Sequence, residues 1–128
     1  MQENKITVVI NKPIEEVFEF TTNPNNTHLW IPSIAEEVAG EYPPKIGTEY
    51  KNRGTDSGWD FYKVIEFQDN EIFTLADLDD NYHVRYTYRK INENETEMEY
   101  FEWMENGELR NPFREDIIQG LKSFMESK

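Results

Sequence analysis

Five segments of strand character follow one another between Gly47 and Met104, and the breaks between them have room only for turns. They run Gly47 to Arg53, Trp59 to Phe67, Glu71 to Leu78, Tyr82 to Ile91 and Thr96 to Met104. The clusters "GTDSG", "QDN", "DLDDN" and "NENE" punctuate them. Parallel neighbours need a crossover connection of about a dozen residues or more, usually a helix, and no interval here supplies one. The strands must therefore be antiparallel neighbours in a meander.

The last pair reveals its faces. In "YHVRYTYRKI" Tyr82, Val84, Tyr86 and Tyr88 fall on one side, and His83, Arg85, Thr87 and Arg89 on the other. In "TEMEYFEWM" Thr96, Met98, Tyr100, Glu102 and Met104 share a side, opposite Glu97, Glu99, Phe101 and Trp103. Paired as a hairpin, Arg85 and Arg89 lie across from Glu97 and Glu99, a favourable cross-strand match. That face is the solvated one, and the Tyr/Met face points inward. Glu102 then falls on the inner side, a carboxylate among aromatics and methionines.

Helices flank the meander. Ile6-Thr7-Val8-Val9-Ile10 reads as strand one. Pro13 suits a first helical turn, and Glu15, Glu16 and Glu19 sit toward its positive end. Ile14, Val17, Phe18 and Thr21 recur at helical spacing, and the helix must end before Asn23-Pro24. A second short turn, Asn26 to Trp30, stops before Pro32. At the far end Asn111 is a good N-cap and Pro112 a good first residue for a long helix. Its apolar stripe runs Phe113, Ile117, Leu121 and Phe124 or Met125. No repeat, linker or low-complexity tract divides the chain, so residues 1–128 form a single domain. The layout is α+β: a curved antiparallel sheet of six or seven strands wrapped around a long C-terminal helix, with two short helices after strand one.

Composition narrows function. With 128 residues, 37% hydrophobic and 14% aromatic, the chain can bury a sizeable core. Its three Trp, seven Tyr and eight Phe exceed what one thin core layer needs, so some should line a cavity or an interface. A net charge of −13 repels nucleic acid and anionic lipid surfaces. The absence of Cys excludes disulfides and thiolate chemistry. The start, Met1-Gln2-Glu3-Asn4-Lys5, has no export character and no segment has the apolar length of a membrane span. A cytoplasmic location with no membrane insertion is the expectation, and the sequons at Asn25 and Asn94 are then silent.

The order of these elements, with its motifs, resembles the START-like (SRPBCC) superfamily, the helix-grip fold. Its members include a polyketide cyclase and lipid-transport group and a chaperone-ATPase activator group. "ITVVINKPIEEVFEFTTNPNNTHLWIP" is similar to that family's first strand, its "P-x-x-x-V-[FW]" helix and its "[DN]-P-x-x-x-x-x-W-x-P" break. Pro13, Val17, Phe18, Asn23, Pro24, Trp30 and Pro32 hold the matching places. "KIGTEYK" resembles the "x-x-G-T-x-[YFW]" opening of a strand. "ETEMEYFEWMENG" resembles "T-x-[VF]-x-[YH]-x-E-x-x-x-G", with Thr96, Met98, Tyr100 and Glu102 in register and Gly107 one place late. The chain departs from the family at "QDNEIF", where "D-P-P-x-x-L" is common. A slip of one residue there would exchange the facing of Trp59, Phe61 and Ile65 with that of Tyr62 and Val64.

The resemblance implies a pocket between sheet and C-terminal helix, with the early short helices at its rim and Trp30 as an apolar wall. Its expected lining is Trp30, Tyr50, Tyr86, Tyr88, Met98, Tyr100, Glu102, Met104, Phe113 and Ile117. Aromatic walls with several hydroxyls suit a small apolar or aromatic molecule. Glu102, desolvated, is the candidate general acid or base of a cyclase or dehydratase on the same fold. A third reading is a chaperone-activator-like interaction protein, with outer-face Phe101 and Trp103 as its patch; those aromatics could equally bury a homodimer interface. No cofactor and no metal are expected. His28 and His83 stand apart, and "ADLDDN" lacks the alternating ligands, glycine and final Glu of a calcium loop. The serines have no nucleophile-elbow context.

Overall fold

The computed structural model describes residues 2–109 and 111–127. Among these, seven strands form one antiparallel sheet in the order β1-β7-β6-β5-β4-β3-β2. They are β1 Gln2–Ile10, β2 Glu36–Ala39, β3 Glu49–Arg53, β4 Asp60–Gln68, β5 Ile72–Asp77, β6 Tyr82–Asn92 and β7 Glu95–Met104. Helices α1 Ile14–Thr22 and α2 Thr27–Trp30 flank a 3-10 turn at Pro24–Asn26, and α3 Glu115–Glu126 closes the chain. The expected meander is β3 to β7, and β1 adds itself to β7 by returning to the far edge. No helix among the described residues is long and apolar enough to cross a membrane.

Helix α1 starts where Pro13 permits, its first bonds running from Glu16 and Val17 N–H to the Pro13 carbonyl. It ends at Asn23, whose extended backbone is what a following proline requires. Asn23 also accepts the Asn25 N–H at 3.0 Å, starting the 3-10 turn. Val17, Phe18 and Phe20 are buried. Phe18 meets the Tyr88 ring edge-on at 5.0 Å and Phe67 at 5.6 Å, which docks α1 on the inner face of the sheet. Gly47 turns the chain into β3 with φ +97°, a left-handed conformation that favours glycine, and donates its N–H to Val64 at 2.8 Å.

Strand β4 settles its facing with Tyr62 and Val64 inward and Phe61 and Ile65 exposed. A register shift between Val64 and Glu66 then returns Phe67 to the core side.

Four sequence expectations need correction. First, β2 was not anticipated. "EEVA" has the composition of a solvated edge, and its strand state comes from pairing with β3 and from the Glu36–Arg53 ion pair at 3.0 Å. Second, only Arg89 faces its expected glutamate, Glu97; Glu99 lies opposite Thr87, and Arg85 opposite Phe101. Arg85 turns instead to Glu66 on β4, with Nε to Oε1 at 3.2 Å. Third, His83 is on the outer face as expected but only 4% exposed. It stacks on Trp103 at 4.6 Å and shares a 2.8 Å hydrogen bond with Asp80.

Fourth, α3 begins at Glu115 rather than at Pro112, after an extended Arg114. Tertiary bonds to Phe113 override the local N-cap preference of Asn111, as the site geometry makes plain. The buried stripe of α3 is Ile118, Leu121 and Met125, with Ile117 and Phe124 at its margins. The helix lies against β1 and α2. Lys122 ties it down by donating to the Val9 carbonyl at 2.7 Å, and Glu126 accepts the Asn11 N–H at 2.8 Å.

Candidate functional site

The inner residues of β7 are Met98, Tyr100, Glu102 and Met104, and the antiparallel register sets Asn4 of β1 directly across from Glu102. That alternation carries a carboxylate into the interior. Glu102 is 2% exposed, and among the described residues three donors meet it. Asn4 Nδ2 lies 2.8 Å from Oε2, the Phe113 N–H 2.5 Å from the same oxygen, and the Tyr82 hydroxyl 2.6 Å from Oε1. Asn4 also donates to the Phe113 carbonyl at 2.9 Å. Both backbone groups of Phe113 are thus held by side chains of β1 and β7. This clamp holds Phe113 outside the helix, and α3 starts only after the extended Arg114.

Phe113 consequently presents its ring to the sheet, stacked on Tyr100 with centroids 4.2 Å apart. Trp30 meets Phe113 edge-on at 5.9 Å and Tyr86 at 6.4 Å. The Tyr82 phenol is held well above its ordinary pKa by burial first and by the Glu102 charge second. Burial likewise raises Tyr100.

A cavity of about 350 Å³ lies between these groups and β2 to β5. Its aromatic walls are Tyr62, Phe73, Tyr82, Tyr86, Tyr100 and Phe113. Its carboxylates are Glu37, Asp60 and Glu102. A second hollow of about 440 Å³ shares Asp60, Tyr62, Tyr82, Glu102 and Asn111 with it and adds Met104 and Leu109. The two form an inner chamber and an outer mouth, with Tyr82 and Glu102 on the edge between them.

Glu37 is the residue sequence reasoning missed. It projects from β2, where the Thr27 hydroxyl donates to Oε1 at 2.5 Å and Asn52 Nδ2 to Oε2 at 3.1 Å. Burial raises its pKa, and those two hydrogen bonds pull the other way. Its only sequence signal was the position of "EEVA" between the Trp30 turn and the first meander strand. Tyr62, pushed up to about 12 by burial and by the charges of Asp60 and Glu37, faces the same space.

Of the residues expected to line a pocket, Tyr86, Tyr100, Glu102 and Phe113 border the inner chamber, and Met104 borders the mouth. Trp30, Tyr50, Tyr88 and Met98 are core residues behind the walls. Tyr50 donates to the Thr22 carbonyl at 2.8 Å, and Tyr88 shares a 2.6 Å hydrogen bond with the Thr21 hydroxyl. Both phenols are spent on fastening α1 to the sheet. Ile117 borders an external groove with Pro32 and Phe113 instead of the chamber.

No protein-family model and no curated protein matches the chain. Solved structures do. A conserved protein of unknown function from Enterococcus faecalis superimposes with a TM-score of 0.73 at 12% identity, over 96% of this chain and 70% of that one. A solution structure of a Cytophaga hutchinsonii protein gives 0.71 at 18% identity, over 99% and 95%. The Aha1 dimer from Colwellia psychrerythraea gives 0.62 at 13% identity, over 99% and 90%. Identities this low show a shared fold alone, and that fold fits the helix-grip layout.

Proposed function

We propose that the chain is a START-like domain whose sheet grips α3, and that it holds a small apolar or aromatic molecule in the chamber on the sheet's inner face, which is closed by the segments before β2 and before α3 and not by α3 itself. The observation that carries this reading is the inner chamber: about 350 Å³, walled by six aromatic rings and adjoining a second, more open hollow. That volume is in the range of small-molecule sites. The reading takes the protein to work in the cytoplasm without a cofactor.

A catalytic alternative, a cyclase or dehydratase using Glu102, draws on one specific feature. The Tyr82–Glu102 hydrogen bond of 2.6 Å could pass a proton to a ligand at the edge of the mouth. Against it, both Glu102 oxygens are engaged, two of the three donors belonging to the clamp on Phe113. That arrangement favours holding over turnover. The interaction-protein reading has less support, because Phe101 and Trp103 stack on each other at 5.1 Å and carry Lys5 and Arg85 over their rings.

Native mass spectrometry of gently purified protein, with solvent extraction of bound material, tests the binding reading. A discrete added mass that is lost on denaturation supports it. A clean apo mass, together with no thermal stabilisation by any member of a library of small aromatic and aliphatic compounds, would sink it.

A further inference from the structure

We propose that the chamber selects molecules bearing an ammonium group on an aromatic or aliphatic body. This rests on the binding reading above and names the ligand class. Three carboxylates, Glu37, Asp60 and Glu102, border the chamber, and Asp77 and Glu108 border its mouth. Among the described residues no Lys, Arg or His borders either space. Three described cations close to the lining in sequence are engaged elsewhere. Arg53 pairs with Glu36 and lies over Trp59, as Lys51 does, while Arg114 pairs with Asp116.

A second, independent observation is Tyr86. It borders the chamber and is 7% exposed, yet among the described residues its hydroxyl has no hydrogen-bond partner. Among the described residues the sealed side-chain atoms without a partner are Trp30 Nε1 and His83 Nδ1, so the Tyr86 oxygen is not sealed and is open to a ligand atom in the chamber it borders. Glu37 is similarly unsaturated: a carboxylate offers about four acceptor positions, and Thr27 and Asn52 fill two.

The chemistry of these groups converges on one partner. A neutral apolar ligand would drive water from the carboxylates and return nothing for the lost solvation. An anionic ligand would face like charges in a site of reduced dielectric, inside a protein of net charge −13. An ammonium supplies donors to Glu37 and to the Tyr86 oxygen, and the faces of Tyr62, Tyr86 and Phe113 attract it as a cation. The carboxylates do not converge as a metal centre would, since no group of three or more ligating side chains occurs among the described residues. The cation is therefore organic.

Three probes with one p-hydroxyphenyl body separate the alternatives: tyramine, 4-ethylphenol and 4-hydroxyphenylacetate. Amide chemical-shift titrations of the full chain give a dissociation constant for each, with shifts expected at Glu37, Tyr86 and Phe113. Tyramine should bind tightest, by about tenfold or more over 4-ethylphenol, and the anion weakest. In Glu37→Gln the tyramine advantage should fall severalfold, with tyramine weakened and 4-ethylphenol equal or tighter, because one carboxylate no longer has to be desolvated. Equal or tighter binding of the neutral or anionic probe overturns the cation preference and leaves the binding reading standing. A preference that persists in full in Glu37→Gln/Asp60→Asn belongs to net charge rather than to the chamber, and also overturns it. If none of the probes shifts the chamber amides and the library and mass measurements are blank as well, both readings fail together.

Discussion

Glu102 and Phe113, eleven residues apart in the chain, are joined by a carboxylate-to-amide hydrogen bond of 2.5 Å. With Asn4 bridging the same two residues, this contact fixes how the segment before α3 crosses the sheet. Glu102→Ala should therefore destabilise the fold by about 3 kcal/mol, because buried donors lose a charged acceptor. Glu102→Gln keeps one acceptor oxygen and should recover roughly half of that. Urea unfolding of both variants measures it. Full stability of Glu102→Ala would remove the clamp from the argument.

Tyr86 and Tyr88 make a controlled pair: both are buried on the inner face of β6, and only Tyr88 has a hydroxyl partner among the described residues. Tyr88→Phe should cost about 1 kcal/mol, the ordinary value of a buried hydroxyl pair. Tyr86→Phe should stay within about 0.5 kcal/mol of the parent, since no bond is lost. Its effect should appear in ligand affinity instead. Thermal melts of the two variants decide the matter, and a larger loss for Tyr86→Phe would reveal a structural role for its hydroxyl.

The meander and the inner face were legible because period-two alternation in "YHVRYTYRKI" and "TEMEYFEWM" is a local property with one solution once a face is buried. Glu102 could be placed inside for the same reason. What could not be read was decided by groups far apart in sequence. The start of α3 depends on Asn4 and Glu102 gripping Phe113, and no window around Asn111 contains that information. Strand β2 exists through its ladder to β3, so Glu37 was invisible as a site residue until that pairing was known. Tyr50 and Tyr88 were placed on the correct side of the sheet, but their hydroxyls point at α1 and not at the chamber.

Helix α3 tests how far the tertiary clamp shifts a helical stripe. Leu121 is fully buried and Ile117 only partly so, although simple spacing from Phe113 makes them equivalent. Leu121→Ala should cost about 2–5 kcal/mol, whereas Ile117→Ala should cost about 1 kcal/mol. Equal losses in denaturant unfolding would mean that α3 begins near Pro112 and packs as local spacing dictates.

Glu37 gives a pH dependence whose sign can be worked out. Burial raises its folded-state pKa above the ordinary 4.5. The folded protein then holds this proton more tightly than the unfolded chain, so the contribution to stability is greatest below pH 4.5 and is lost as pH rises through the elevated folded value. Glu37→Gln removes that loss while keeping an acceptor for Thr27 or Asn52. At neutral pH the variant should melt above the parent, and the gap should close as pH falls below the unfolded value. Asp116 and Glu126, whose pKa values are lowered by Arg114 and Lys122, push overall stability the other way in acid. The quantity to compare is therefore the difference between parent and variant at each pH, from calorimetric melts, because the other carboxylates cancel in it. A variant that melts below the parent at neutral pH would show that the Thr27 and Asn52 hydrogen bonds outweigh desolvation. Glu37 would then be a structural carboxylate satisfied by Thr27 and Asn52, and a poor anchor for any cation.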